Sequence, residues 1–143
     1  MTRVLAIDVG GRRIGLAISD PSRTLARPLS TLTVSNAAEG VTRVADEIAR
    51  LERDDDGLES IVVGLPVRLD GSASDETARV AAFVDALRAR TALPIVTADE
   101  RLTSREAESR LSVLEHDWRE RKKKLDAAAA AIILQEYLDR APD

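Results

Sequence analysis

The sequence predicts an α/β fold, a mixed five-stranded sheet flanked by helices. Three observations carry this expectation. Two short apolar runs, Val4 to Val9 and Ile14 to Ser19, are separated only by Gly10, Gly11, Arg12 and Arg13, which reads as a hairpin. From Val41 onward the apolar spacing changes from strand-like to helical. After that point, helical patterns alternate with short apolar strands, the order expected when helices cover a sheet.

The elements follow in chain order. Val4 to Val9 is a buried strand, and Ile14 to Ser19 is its hairpin partner. Pro28 to Val34 is a third strand, with Pro28 at its first position, where no ladder donor is lost. Val41, Val44, Ala45, Ile48 and Leu51 form the stripe of a first helix, and Asn36 with Glu39 marks its start. The acidic run Asp54 to Asp56, then Gly57, ends it. Ser60 to Leu65 is a fourth strand, closed by Pro66. The loop PVRLDGSAS leads into a helix striped by Val80, Phe83, Val84 and Leu87. Pro94 to Thr97 is the last strand. Thr103 and Glu106 have capping-box spacing ahead of a stripe at Ala107, Leu111 and Leu114. A final alanine-rich helix runs from about Arg121 to Arg140. With no repeat and no linker, residues 1–143 are expected to form a single domain.

Composition narrows the function classes. At 143 residues and 44% hydrophobic, the chain can bury a real core. Aromatics make up only 2%, so the core must be aliphatic and a base-stacking platform is disfavoured. The absence of cysteine excludes disulfides, thiolate metal sites and cysteine nucleophiles. No run approaches the roughly 20 apolar residues that span a bilayer. The first residues, MTRVLAIDVGG, lack a signal-peptide pattern, so a soluble cytoplasmic protein is expected. A net charge of −4 suits a local contact with nucleic acid better than a broad basic platform. Basic residues gather at Arg12–Arg13 and in RERKKK, which contains all the lysines of the chain, Lys122, Lys123 and Lys124.

Four places in the chain could carry chemistry; one, VGLPVRLDGSASDET, has a helix start at about Ser74 that could bind an anion but reads more simply as an ordinary capped helix. Asp8 ends an apolar strand ahead of two glycines, and a carboxylate there needs a partner. Asp99 and Glu100 follow a strand at a position common for sites in α/β sheets. Asp126 shares a helix face with Ala130, Ile133 and Tyr137, which is otherwise apolar. Each has a plainer explanation: Asp8 as a turn cap, Asp99 and Glu100 as loop acids, Asp126 as a first-turn acid favouring the helix dipole. Together they are carboxylates from three elements. Such a cluster would repel itself unless a hard cation such as Mg²⁺ or Mn²⁺ sat between them. Two such ions are the usual means of activating water against a phosphodiester. The single histidine, His116, lies in a polar stretch, and no serine stands in a nucleophile elbow.

IDVGGRRIGLAISD, VGLPVRLDGS, DERLTS and LDAAAAAIIL, in that order, resemble the motifs of the YqgF/RuvX family, from Met1 to about Tyr137. The resemblance implies a ribonuclease H-like fold. It also implies a nuclease that matures the 5′ end of pre-16S ribosomal RNA, in a family also described as Holliday junction resolvases. It assigns the metal and catalytic roles to Asp8, Glu100 and Asp126. Arg101 and Thr103 would contact phosphate or brace the site. Gly64, Pro66, Asp70 and Gly71 match a loop that would shape the substrate edge. Arg12, Arg13, Arg101 and Lys122 to Lys124 are expected to guide the nucleic-acid backbone. The polar stretch EHDWRERKKK, between Leu114 and Leu125, is expected to be a substrate-facing flap.

The expected partners are pre-rRNA, the assembling small ribosomal subunit and, alternatively, branched DNA; the chain would be a monomer or homodimer. A four-way DNA junction resolvase is the nearest alternative, although two symmetric nicks require a dimer that nothing in the sequence forces. A non-catalytic RNA-binding or assembly factor is a second alternative, disfavoured by the intact carboxylates. An ATP-handling domain is a third, disfavoured because 143 residues supply only one of the two lobes that close over a nucleotide.

Overall fold

The computed structural model describes residues 2–68, 70–99 and 118–140, with residues 118–125 as backbone only. Its elements are β1 (Arg3–Val9), β2 (Arg13–Ser19), β3 (Ala26–Thr33), α1 (Ala37–Glu52), β4 (Leu58–Leu65), α2 (Asp75–Arg88), β5 (Ile95–Asp99) and α3 (Trp118–Arg140). The five strands form one sheet in the order β3-β2-β1-β4-β5. β1 is antiparallel to β2 and parallel to β4, so the sheet is mixed as expected. This is the ribonuclease H-like α/β arrangement, with helices on both faces.

The central strand β1 has no polar face because both its sides are covered. Leu5, Ile7 and Val9 point to one face, where they join Ile14, Leu16 and Ile18 of β2 and the stripes of α1 and α2. Val4 and Ala6 point to the other face, with Ala17, Val62 and, from α3, Ala130, Ile133 and Leu134. The two faces differ in grain. The first is built from large aliphatic side chains, each contributing about 1.5–3 kcal/mol when fully buried. The second is rich in alanine, which lets the α3 backbone come close to the sheet.

Both helices of the first face start as their sequences predict. The Asn36 side chain accepts from the Glu39 N–H at 2.9 Å, and the Glu39 carboxylate accepts from the Ser35 N–H at 3.0 Å. Ser74 and Thr77 form a reciprocal capping box on α2. The Thr77 hydroxyl also donates to the Pro66 carbonyl, which ties the helix to the end of β4. At the far end of α1, Arg3 is 9% exposed; it donates to the Gly57 carbonyl at 3.1 Å and to Asp54 at 3.2 Å. The start of β1 is thereby fastened to the loop that leads into β4.

Most strand limits shift by a residue or two from expectation, and three differences bear on the site or the sheet. Pro28 lies inside β3, not at its first position, because the strand already begins at Ala26. β3 is an edge strand, and its ladder with β2 is irregular between Leu16 and Ala17, where the latter pairs with Pro28; a residue without an N–H is tolerated there. β5 runs on to Asp99, since the parallel ladder with β4 continues to the pair Leu65 and Asp99. α3 includes residues 118–124, so this part of the expected flap is helix. The expected helix at Thr103 to Leu114 lies outside the described residues.

Candidate functional site

The carboxyl ends of β1, β4 and β5 lie along one edge of the sheet, because these strands are parallel. Ligands of open α/β sheets gather at such an edge. Asp8 is the last but one residue of β1 and is half-buried. Strand alternation puts it on the same face as Val4 and Ala6, the face covered by α3.

The register then brings Asp126 to it. Asp8 pairs with Gly15 of β2. Antiparallel partners have Cα atoms about 4.5–5.5 Å apart. A Cβ on Gly15 would lie 2.1 Å from the Asp126 carbonyl oxygen, so the α3 backbone rests directly on β2 at this residue. Asp8 and the Asp126 backbone, from opposite ends of the chain, are therefore both neighbours of one glycine. Farther along α3, Ala130, Ile133 and Tyr137 pack on the sheet, as the helical spacing predicts.

Arg13 also meets Asp126. Its Nε donates to Oδ2 at 2.6 Å, across 113 residues of sequence, with the side chains 35% and 24% exposed. A charge-assisted bond at this exposure is worth on the order of 1 kcal/mol. Arg13 was expected to guide a phosphate; here it holds the carboxylate. Arg12, one residue earlier, is exposed, and its carbonyl accepts from Val34 N–H at 2.8 Å. Gly10 closes the turn by donating to the Arg13 carbonyl at 2.8 Å, where a Cβ would come within 2.6 Å of the same oxygen.

The loop after β4 is held by its own polar groups. The Asp70 carboxylate accepts from the Ser72 N–H at 2.9 Å and its hydroxyl at 2.7 Å, and Gly71 adopts φ 88°. Arg68 donates to the Ala73 carbonyl at 2.6 Å. Lys122 and Lys123 stand on α3 one turn before Asp126, followed by Lys124. Glu100, Arg101 and Thr103 lie outside the described residues; Glu100 directly follows the last residue of β5.

Among the described residues, no three of His, Cys, Asp and Glu are grouped to hold a metal. The donors that are placed nevertheless suit one. They are carboxylate oxygens, the ligands that hard divalent cations take, and one of them already engages a positive charge in the Arg13 guanidinium.

Residues 2–140 match a family described as RuvX, Holliday junction resolvase. The chain belongs to the RuvX family. Among its RuvX-like relatives is a protein of Roseiflexus sp. (strain RS-1), 40% identical over 96% of this chain and 94% of its own. Another is from Chloroflexus aggregans, 41% identical over 95% and 92%. Both bear the name "Putative pre-16S rRNA nuclease". Among solved structures, Thermus thermophilus RuvC in complex with a Holliday junction substrate has the same fold, with a TM-score of 0.56 at 18% identity. It matches 96% of this chain and 94% of that one. Family membership implies a divalent cation and a nucleic-acid partner. No helix among the described residues is long and apolar enough to cross a membrane.

Two features of the site escaped the sequence reading. The Arg13–Asp126 pair has no spacing signal, since its members are joined only by tertiary structure. Gly15 did leave a trace: a glycine inside a strand often marks close approach by another backbone.

Proposed function

We propose that this chain is a divalent-cation-dependent endonuclease that hydrolyses phosphodiester bonds during 5′-end maturation of pre-16S rRNA. The observation that supports the reading is that Gly15 has Asp8 as its ladder partner and the Asp126 backbone against it, at the end of the sheet where β5 finishes one residue before Glu100 in the sequence. The names of the full-length relatives support the substrate.

Asp8, Glu100 and Asp126 are the proposed ligands of Mg²⁺ or Mn²⁺. When bound, the cation supplies the charge that activates a water nucleophile and stabilises the leaving oxygen. The chain's own residues bind and orient the substrate. Arg12, Arg101, Thr103 and Lys122 to Lys124 hold the phosphates of the strand, and the end of β4 at Gly64 with the loop that follows, through Pro66, Asp70 and Gly71, shapes the edge against which it lies. The 143 residues act as one cytoplasmic nuclease domain, with the assembling small ribosomal subunit as the setting for its RNA.

The family description favours a second reading, the resolution of four-way DNA junctions. A cleavage assay with Mg²⁺ or Mn²⁺ separates the two, using pre-16S leader RNA and a four-way DNA junction. Asp8→Asn is expected to lower RNA cleavage by more than about 100-fold, since even partners outside the ligand shell cost 10–100-fold. Junction cleavage alone would favour the resolvase. A wild-type chain that neither binds metal nor cuts would leave the non-catalytic assembly factor as the better account.

A further inference from the structure

We propose that Arg13 is a placeholder cation. It holds Asp126 while the divalent ion is absent, and it must release the carboxylate before the ion can be bound. The proposal rests on the nuclease reading, because it takes Asp126 to be a metal ligand.

Four observations carry it. Arg13 Nε bonds Asp126 Oδ2 at 2.6 Å, so one carboxylate oxygen is already occupied by a positive group. The contact is not made by a long-range reach of α3, because Asp126 is pinned against Gly15, two residues from Arg13 on the same strand. Strand alternation places Arg13, Gly15 and Ala17 on the face that α3 covers, with Asp8 across the ladder from Gly15. Finally, Arg13 is 35% exposed, so its side chain has solvent to move into when displaced.

The physical consequence is competition. A guanidinium and a divalent cation cannot both sit against the same carboxylate without repelling each other. A cation that took the Oδ2 now bound by Arg13 would displace the guanidinium, which would stay on its strand beside Asp126, free to meet an incoming phosphate. Arg13 is in this account a positioning residue for Asp126 first and a phosphate contact second. Metal and nucleic acid then favour each other's binding, since the phosphate gives Arg13 a new partner once the cation has taken its old one.

The test is a calorimetric Mn²⁺ titration of the full-length, chelator-stripped protein and its variants, with folding checked by thermal unfolding. Arg13→Gln removes the competing charge and is expected to bind Mn²⁺ roughly fivefold more tightly than wild type. Arg13→Met provides a second neutral variant should the first fold poorly. Arg13→Lys keeps the charge and is expected to stay within about twofold of wild type. Asp126→Asn is expected to weaken binding at least about tenfold. If Asp126→Asn weakens binding but the neutral variants bind no better than wild type, the placeholder role is wrong and the nuclease reading stands. If Arg13→Lys tightens as much as Arg13→Gln, charge is not the cause and the proposal falls. If Asp126→Asn binds like wild type, Asp126 is no ligand, and both readings of it fail together.

Discussion

Gly15 and Gly11 sit a few residues apart in one hairpin, yet they should respond to the same substitution in opposite ways. A Cβ on Gly15 would strike the Asp126 carbonyl oxygen at 2.1 Å, with the Asp126 carbonyl carbon and the Ala127 nitrogen close behind. All three are backbone atoms of a packed helix, so nothing flexible can give way. Gly15→Ala is expected to cost about 3 kcal/mol, the upper part of the range for overpacking, and to displace Asp126 with α3. Urea denaturation and Mn²⁺ titration of the variant check both parts. A Cβ on Gly11 meets nothing within 4 Å. Gly11→Ala should leave stability unchanged or raise it by up to about 1 kcal/mol by restricting the unfolded chain. This contrast was only half legible in the sequence. Both glycines stand out beside Asp8, but whether a backbone lies against one of them is decided by α3, far away in the chain.

At the scale of elements, the sequence was most informative where signals are local. Asn36 and Glu39 announce α1, and the polar loop ending at Ser74 announces α2, where the fold adds a capping box with Thr77. Ser74→Ala is expected to cost about 1 kcal/mol in chemical denaturation, the usual worth of an N-cap. Strand limits were less legible because ladders depend on partners. β5 reaches Asp99 only because β4 lies beside it, and Pro28 fits inside β3 only because that strand is an edge with a local irregularity. Arg3 is the clearest omission. Nothing near it in sequence shows that it bonds Gly57 and Asp54, yet it joins β1 to the turn before β4. Arg3→Met should cost about 1–3 kcal/mol, because the Gly57 and Leu51 carbonyls lose their donor. A lowered urea midpoint with an unchanged slope would be the signature.

At the scale of the whole molecule, two hydrogen-bonded carboxylates set the acid limit of stability. At the end remote from Asp8, Asp20 accepts from Ser22 and from the Leu25 and Thr24 N–H groups, which hold its carboxyl below its usual 3.8. Glu59 is held below its usual 4.5 by the Thr2 hydroxyl first and by Arg23. Groups depressed in the folded state add stability that is fully present above their unfolded pKa and is lost as pH falls through the folded value. The melting temperature should therefore be flat at neutral pH and decline once the pH drops below about 4.5, and Glu59→Gln should flatten part of that decline. The lysines of α3 precede Asp126 by about one helical turn. Lys123→Ala should weaken RNA binding and reduce the salt slope by about 1, measured by titration at several salt concentrations. The position of α3 has one more consequence. All five strands precede it in the chain, and the alanine-lined face of the sheet waits for it. A nascent polypeptide therefore carries Asp8 long before Asp126, so the two proposed ligands can come together only once the last helix has been synthesised.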